Sequence, residues 1–188
     1  MRSLYIETTV YVLLCISIYL FEPKTSHWLA YYHSDISQFE LWRLITATFC
    51  HTNFNHLAMN LLGLLVTIGL FFESFKIMTL TMLIIFSSVI IGLSLFFLEP
   101  SLIGYVGLSG VLHALFSFGI ACDIQRKTAW GYLLAVGLLL KLAHEQFFGA
   151  TQSTMELIDA PVMVNAHLYG AVAGLLFFAL LNAINRKR

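Results

Sequence analysis

Six apolar stretches, separated by short polar connections, constrain this 188-residue chain more than any other feature of its sequence. A helix needs about 20 mostly apolar residues to cross the hydrocarbon core of a bilayer. Only 11% of the residues are charged, whereas globular domains carry about 25%, so too few remain for a water-exposed surface. We therefore predict one all-α, polytopic membrane domain over residues 1–188, with spans at about 5–21, 54–72, 77–97, 108–123, 129–148 and 163–183.

The net charge and the cysteine spacing limit which macromolecules and metals the chain is expected to bind. The formal net charge is zero, so the chain offers no basic surface for nucleic acid, and we expect the lipid bilayer as its surroundings instead. The three cysteines have neither disulfide-framework nor metal-site spacing: they are Cys15, Cys50 and Cys122. We accordingly expect no cofactor and no metal.

The distribution of lysine and arginine predicts which side of the membrane each loop faces, because cytoplasmic loops are enriched in both. With a cytoplasmic N-terminus, the outer loops contain only two basic residues, Lys24 and Arg43. The inner side then contains seven, which are Arg2, Lys76, Arg126, Lys127, Arg186, Lys187 and Arg188. We predict that both termini are cytoplasmic.

Polar side chains inside the predicted spans are candidates for function, because an ionisable group in the hydrocarbon region is costly unless it is paired. The second, fourth and sixth spans all begin on the predicted outer side. Their polar residues should therefore reach one depth in the outer half of the bilayer: these are His56, Asn60, Ser109 and His167. His56 and Asn60 share a helix face, and hydrogen bonding between helices is the alternative explanation for that pair.

The segment around Ser109 is typical of a nucleophile or of a helix N-cap. Ser109 lies between Gly107 and Gly110 at the start of the fourth span. The first backbone amides of a helix lack partners within the helix, so they can stabilise an anion beside the serine.

Small residues indicate which spans pack together. Gly170 and Gly174 in the sixth span form a GxxxG pattern, which lets two helix backbones approach closely. The fourth span offers a matching stripe of small residues: Gly110, Ala114, Ser117 and Ala121. Packing of the two stripes would bring Ser109 and His167 to hydrogen-bonding distance, about 2.6–3.2 Å.

A serine and an imidazole at that distance favour nucleophilic catalysis, with His167 as the base. No carboxylate is expected at the depth of His167, because Glu145 should lie near the outer end of the fifth span, so we predict a Ser–His dyad rather than a triad. His56, Asn60 and the Ser109 backbone amide would stabilise the oxyanion. A metalloprotease is the main chemical alternative, but the HExxH motif is absent.

Three motifs together resemble the rhomboid intramembrane serine proteases: His51-x4-His56-x3-Asn60, Gly107-Leu108-Ser109-Gly110 and Ala166-His167-x2-Gly170-x3-Gly174. The resemblance implies a six-helix bundle in which Ser109 is the nucleophile and His167 the general base. It implies that His56, Asn60 and the Ser109 amide form the oxyanion hole, in a water-filled cavity. The fifth span and the loop after it would form a lateral gate. A catalytically inactive rhomboid-like protein that binds membrane clients is the alternative.

One departure from the family pattern is His113, which replaces a tyrosine that stacks on the catalytic histidine in many members. Two further motifs resemble rhombosortases: Leu112-His113-Ala114 and Lys141-x2-His144-Glu145-Gln146-x2-Gly149. That branch implies a bacterial inner-membrane enzyme whose active site faces the extracytoplasmic side. Its substrates would be single-pass or C-terminally anchored proteins, including those with Gly-Gly-type anchors. Lys141 and Glu145 would pair with each other or line the substrate gate.

Overall fold

The computed structural model describes residues 2–76 and 78–186, and most of them are helical. The predicted all-α fold is confirmed. In chain order the elements are α1 (Arg2–Leu20), α2 (Lys24–Leu29), β1 (Tyr31–Tyr32), α3 (His33–Ser37), α4 (Arg43–Thr46), α5 (Phe54–Leu70), α6 (Thr79–Leu98), β2 (Gly104–Tyr105), α7 (Ser109–Gln125), α8 (Ala129–Phe148), α9 (Gln152–Ile158) and α10 (Val164–Asn185). The six predicted spans fall on the six longest helices. Residue 77, where the third span was predicted to begin, lies outside the described residues, as do Lys187 and Arg188.

The helices differ in how well each alone would cross a bilayer. By length and apolar composition, α6 and α10 each suffice. Two bent pairs pass the same test as units: residues 43–49 with α5, bent by 96°, and α8 with α9, bent by 88°. The described residues thus contain two to four apolar span candidates by this measure.

Although α7 is short for a membrane span, it lies in the interior of the bundle. Eight of its 17 residues are buried, and α10, α6, α8 and α5 all pack around it. By contrast, α8 lies at the edge and buries only Gly131 and Leu142 along its length. Large apolar side chains cover its outer face, including Trp130, Leu133, Leu139, Leu140 and Phe147. An apolar exterior of this kind suits a protein surrounded by lipid.

The predicted contact between the small-residue stripes of α7 and α10 is confirmed. A Cβ atom at Gly170 would collide with the carbonyl oxygen of Gly110, and one at Gly174 would collide with that of Ala114. One turn further along, the Ser117 hydroxyl donates to the carbonyl oxygen of a residue on α10, Ala171, at 2.8 Å. Glycine therefore sets the distance between these two helices.

The predicted first outer loop, residues 21–53, is folded around a single buried cation. Arg43 is only 3% exposed and forms ion pairs with Glu40 at 2.6 Å and Asp35 at 3.0 Å. Its guanidinium also donates to the carbonyl oxygens of Ala30 and His27. The loop therefore has a fixed shape at one end of the bundle.

A short β-ladder ties this loop to the segment that precedes α7. β1 and β2 are antiparallel, with Tyr31 opposite Tyr105 and Tyr32 opposite Gly104. A further backbone bond joins the Gly107 amide to the Ala47 carbonyl oxygen at 3.1 Å. The chain immediately before Ser109 is thus held by residues 31–47.

We expect Gly170→Ala to destabilise the protein, because the added methyl group occupies the position of the Gly110 carbonyl oxygen. Overpacking of this kind lowers the free energy of unfolding by about 1–3 kcal/mol. Gly137→Ala is the matched control, since a Cβ atom there has no neighbour within 4 Å and alanine favours the helix. Thermal unfolding in detergent compares the two; equal unfolding temperatures would contradict the close-packing interpretation.

Candidate active site

Ser109 and His167 face each other where α7 and α10 both begin. Ser109 is the first residue of α7, and His167 is in the first turn of α10. The Ser109 Oγ atom lies 3.0 Å from His167 Nε2, which is hydrogen-bonding distance. The close approach of the two helices places these atoms, because both residues lie just to the outer side of the glycine contacts.

Gly107 and Gly110 on either side of Ser109 occupy positions where a side chain does not fit. Gly107 has a φ of +119°, and a Cβ atom on it would lie 2.7 Å from His56 Nε2. At Gly110 a Cβ atom would lie 3.0 Å from the Ala166 carbonyl oxygen. The two glycines let the serine turn pass directly beside His56 and α10.

His56 and Asn60 lie on α5, buried beside the serine turn. His56 Nδ1 is 3.1 Å from the Thr52 hydroxyl. Within the described residues, the buried Asn60 Nδ2 group has no hydrogen-bond partner. A buried donor without a partner carries a desolvation penalty of about 1–3 kcal/mol, so it is available to an oxygen atom of a bound molecule.

A carboxylate also reaches His167, which the sequence analysis did not predict. Glu145 Oε2 lies 2.9 Å from His167 Nδ1, and Oε1 lies 3.1 Å from it. The expectation that no carboxylate shares the depth of His167 is therefore wrong. The reason is positional: Glu145 lies three residues before the end of α8, and His167 three residues after the start of α10. The sequence offered one signal, since both residues lie near the ends of predicted spans that share a loop, but spacing alone does not show that the two side chains meet.

Lys141 and His113 complete a polar cluster around this contact. The Lys141 ammonium group donates to Glu145 Oε2 at 2.8 Å and to His113 Nε2 at 2.5 Å. The other nitrogen of His113, Nδ1, lies 2.7 Å from the Ser109 carbonyl oxygen. The His113 ring stacks on the His167 ring, with centroids 4.3 Å apart and planes 15° apart. His113 therefore stacks on His167 in place of the family's tyrosine.

The predicted pairing of Lys141 with Glu145 is present, but both side chains point at the histidines. They also line a second cavity of about 360 Å³ beside the site, so contact with an incoming substrate is compatible with their position. His144, one residue away, lies against Phe148 with ring centroids 5.1 Å apart and does not join the cluster.

One group of described residues has the composition of a metal site: His113, Glu145 and His167, whose ligand atoms lie within 4.8 Å of one another. Lys141 donates to two of the three residues, and its positive charge opposes a cation. The donor set therefore fits an ammonium group better than a metal ion.

Ser109, His167, His56 and Asn60 all line one cavity of about 470 Å³. Most of its remaining lining is apolar, and the segment between α9 and α10 contributes four of those residues, Ala160, Pro161, Val162 and Met163. Tyr31 lines the opposite wall, and burial raises the pKa of its phenol to about 12, so the hydroxyl is neutral near pH 7. The cavity thus combines an apolar wall with a few polar groups, as binding sites usually do.

A short helix, α9, closes one side of this cavity. Its last two carbonyl oxygens accept hydrogen bonds from the residues around the start of α5. The Thr52 hydroxyl donates to the Ile158 carbonyl oxygen at 2.6 Å. Asn53 and Asn55 donate to the Leu157 carbonyl oxygen at 3.0 and 3.2 Å. We call these three bonds the latch.

Comparison with known proteins identifies the family of the chain. Residues 38–183 match the family model described as "Rhomboid domain". The chain is 29% identical over 184 residues to "Rhomboid-like protein 11, chloroplastic" of Arabidopsis thaliana. That alignment covers 91% of this chain but 64% of the plant protein, so the chain spans just under two thirds of its relative's length. The match extends from the first outer loop to the end of the last helix, and the chain therefore belongs to the rhomboid family.

Proposed function

We propose that this protein is an intramembrane serine endopeptidase with Ser109 as the nucleophile and His167 as the general base. The observation that carries the proposal is the 3.0 Å distance between Ser109 Oγ and His167 Nε2 at the wall of a cavity. A serine hydroxyl is a weak nucleophile until a base within this distance accepts its proton. Membership of the rhomboid family supports the same chemistry.

In the proposed reaction, Ser109 Oγ attacks the carbonyl carbon of the scissile peptide bond while His167 Nε2 accepts the hydroxyl proton. Asn60 Nδ2, His56 and the Ser109 amide stabilise the resulting oxyanion. Collapse of the intermediate breaks the C–N bond, and His167 returns the proton to the leaving amine. Water then attacks the Ser109 ester with His167 again as the base, which releases a carboxylic acid and restores the hydroxyl group.

We propose that the substrates are single-pass or C-terminally anchored membrane proteins, cut near the extracytoplasmic face of a bacterial inner membrane. The cavity lies at the end of the bundle that carries the first outer loop, which the lysine and arginine distribution assigns to the exterior. The rhombosortase-like motifs favour proteins with a Gly-Gly-type C-terminal anchor. Both termini of the protease then face the cytoplasm.

We further propose that α9 and the outer end of α8 form the lateral gate through which a substrate reaches the cavity. α8 buries few residues, and three hydrogen bonds hold the end of α9 to the start of α5. Movement of these two elements therefore breaks fewer contacts than movement of α7 or α10.

The nucleophile assignment predicts covalent labelling of the full chain in detergent by a fluorophosphonate probe. Ser109→Ala should abolish the labelling, and His167→Ala should lower it by about 10²-fold or more, because the base is lost. Gel fluorescence and mass spectrometry of the labelled peptide measure both effects. Labelling that persists in Ser109→Ala would contradict the assignment of the nucleophile. A folded wild-type protein that is not labelled would favour the inactive, client-binding alternative.

The oxyanion-hole assignment predicts that Asn60→Ala slows fluorophosphonate labelling by about 10²- to 10³-fold, as the loss of one preorganised donor does elsewhere. Because Asn60 Nδ2 has no partner among the described residues, the unfolding temperature should change little. Asn182→Ala is the control, since the Asn182 side chain accepts a hydrogen bond from the exposed Gln125 and lies far along α10 from the cavity. Equal rates for the two variants would contradict the role of Asn60.

The gate proposal predicts that Thr52→Val loosens α9, because valine cannot donate to the Ile158 carbonyl oxygen. Loss of one hydrogen bond of about 1 kcal/mol should raise backbone hydrogen exchange in residues 152–158 about fivefold. Thr8→Val is the matched control: Thr8 bonds to its own helix at Leu4, away from the cavity. Exchange in α9 that stays as slow as in the control would contradict the latch.

A further inference from the structure

His167 connects the nucleophile to an ion pair between Glu145 and Lys141. Ser109 lies against His167 Nε2, and Glu145 lies against His167 Nδ1. Lys141 donates to Glu145 and lies beside His113, which stacks on His167. We propose that Glu145 is a positioning residue that completes a Ser109–His167–Glu145 triad and that Lys141 holds the carboxylate in place. This inference rests on the proposed function, because it concerns the base of the same reaction.

The first argument is the tautomer that the contacts impose on His167. An ionised carboxylate only accepts hydrogen bonds, so Glu145 requires the proton of the neutral imidazole to be on Nδ1. Nε2 is then an acceptor and faces the Ser109 hydroxyl at 3.0 Å. This is the tautomer that general-base catalysis needs.

The second argument is the position of the carboxylate. The Glu145 side chain is 13% exposed and that of His167 is 7% exposed, so little water surrounds the contact. Electrostatic interactions are stronger in such surroundings than in water. When His167 accepts the serine proton it becomes an imidazolium cation, and the adjacent carboxylate stabilises that charge where it forms.

The third argument is the position of Lys141. Its ammonium group is 2.8 Å from Glu145 Oε2 and 3.3 Å from His167 Nδ1. If the carboxylate is removed, Lys141 remains the nearest donor to Nδ1, and a bond between them would move the proton of the imidazole to Nε2. That tautomer cannot accept a proton from Ser109. Glu145 therefore keeps Lys141 from reversing the orientation of the base.

His113 supports the same arrangement from the face of the ring. The Ser109 carbonyl oxygen can only accept, so His113 Nδ1 carries the proton and Nε2 accepts from Lys141. The His113 ring is thereby fixed at both nitrogens while it packs on His167. Each of the charged or titratable groups in the cluster has a partner, and Lys141 and Glu145 together contribute no net charge to a site inside the bilayer.

The test is the kinetics of fluorophosphonate labelling of the full chain in detergent, which reports activation of Ser109 without a known substrate. Glu145→Gln keeps the size of the side chain and removes its charge. We expect the maximal labelling rate constant to fall by about 10²- to 10⁴-fold, while the probe concentration at half-maximal rate stays unchanged. Glu145→Asp, which restores the charge, should recover part of the rate. Glu73→Gln, at the opposite end of the bundle, is the matched control and should label like the wild type.

Thermal unfolding of each variant separates positioning from folding. A Glu145→Gln protein that unfolds near the wild-type temperature but labels slowly supports the triad. A rate within about threefold of the wild type, with Ser109→Ala unlabelled, would overturn the role of Glu145 and leave the proposed function standing. If Glu145→Gln does not fold, Glu145→Asp decides. A rate below that of the wild type but above that of His167→Ala, with normal unfolding, supports positioning by the carboxylate, whereas a rate no higher than that of His167→Ala would overturn it. A full rate in Lys141→Met would overturn the bracing role of Lys141. Labelling that persists in Ser109→Ala would instead overturn the proposed function itself.

Discussion

The contact between the backbones of α7 and α10 is the constraint on which the rest of the site depends. Gly170 lies against the carbonyl oxygen of Gly110, and Gly174 against that of Ala114, with no room for a side chain between them. Hydrophobic attraction adds little between helices in lipid, so association relies on close packing of this kind and on hydrogen bonds. The same contact sets the separation of Ser109 and His167, because both lie less than one turn beyond it.

Polar groups in a membrane protein need partners, and three buried side-chain groups among the described residues have none: Asn60 Nδ2, the Tyr31 hydroxyl and His51 Nε2. Arg43 in the outer loop and Lys141 in α8 are both paired with carboxylates. Asn60 is different: its Nδ2 group is buried without a partner in the described structure, in the wall of the cavity. An arrangement that leaves a donor unsatisfied is unfavourable for folding but suits a site where a negative oxygen develops during the reaction.

The sequence predicted the parts of this fold that depend on periodic patterns. Apolar length predicted the helices, and the spacing of Gly170 and Gly174 predicted which helix α10 would pack against. The approach of Glu145 to His167 depends instead on how α8 tilts against α10 and on where each helix ends, and neither is encoded in local spacing. The latch was missed for a similar reason: Thr52 and Ile158 are 106 residues apart, and one partner is a backbone carbonyl. The catalytic roles of Ser109, His167, His56 and Asn60 stay predictions.

The latch affects how freely the amino-acid sequence of α9 can vary. Its three acceptor bonds all end on main-chain oxygens of residues 157 and 158, whereas the donors belong to side chains at the start of α5. Any sequence that forms one helical turn there presents the same oxygens. The side chains of α9 that face the cavity can therefore change in bulk and polarity without loss of these three hydrogen bonds.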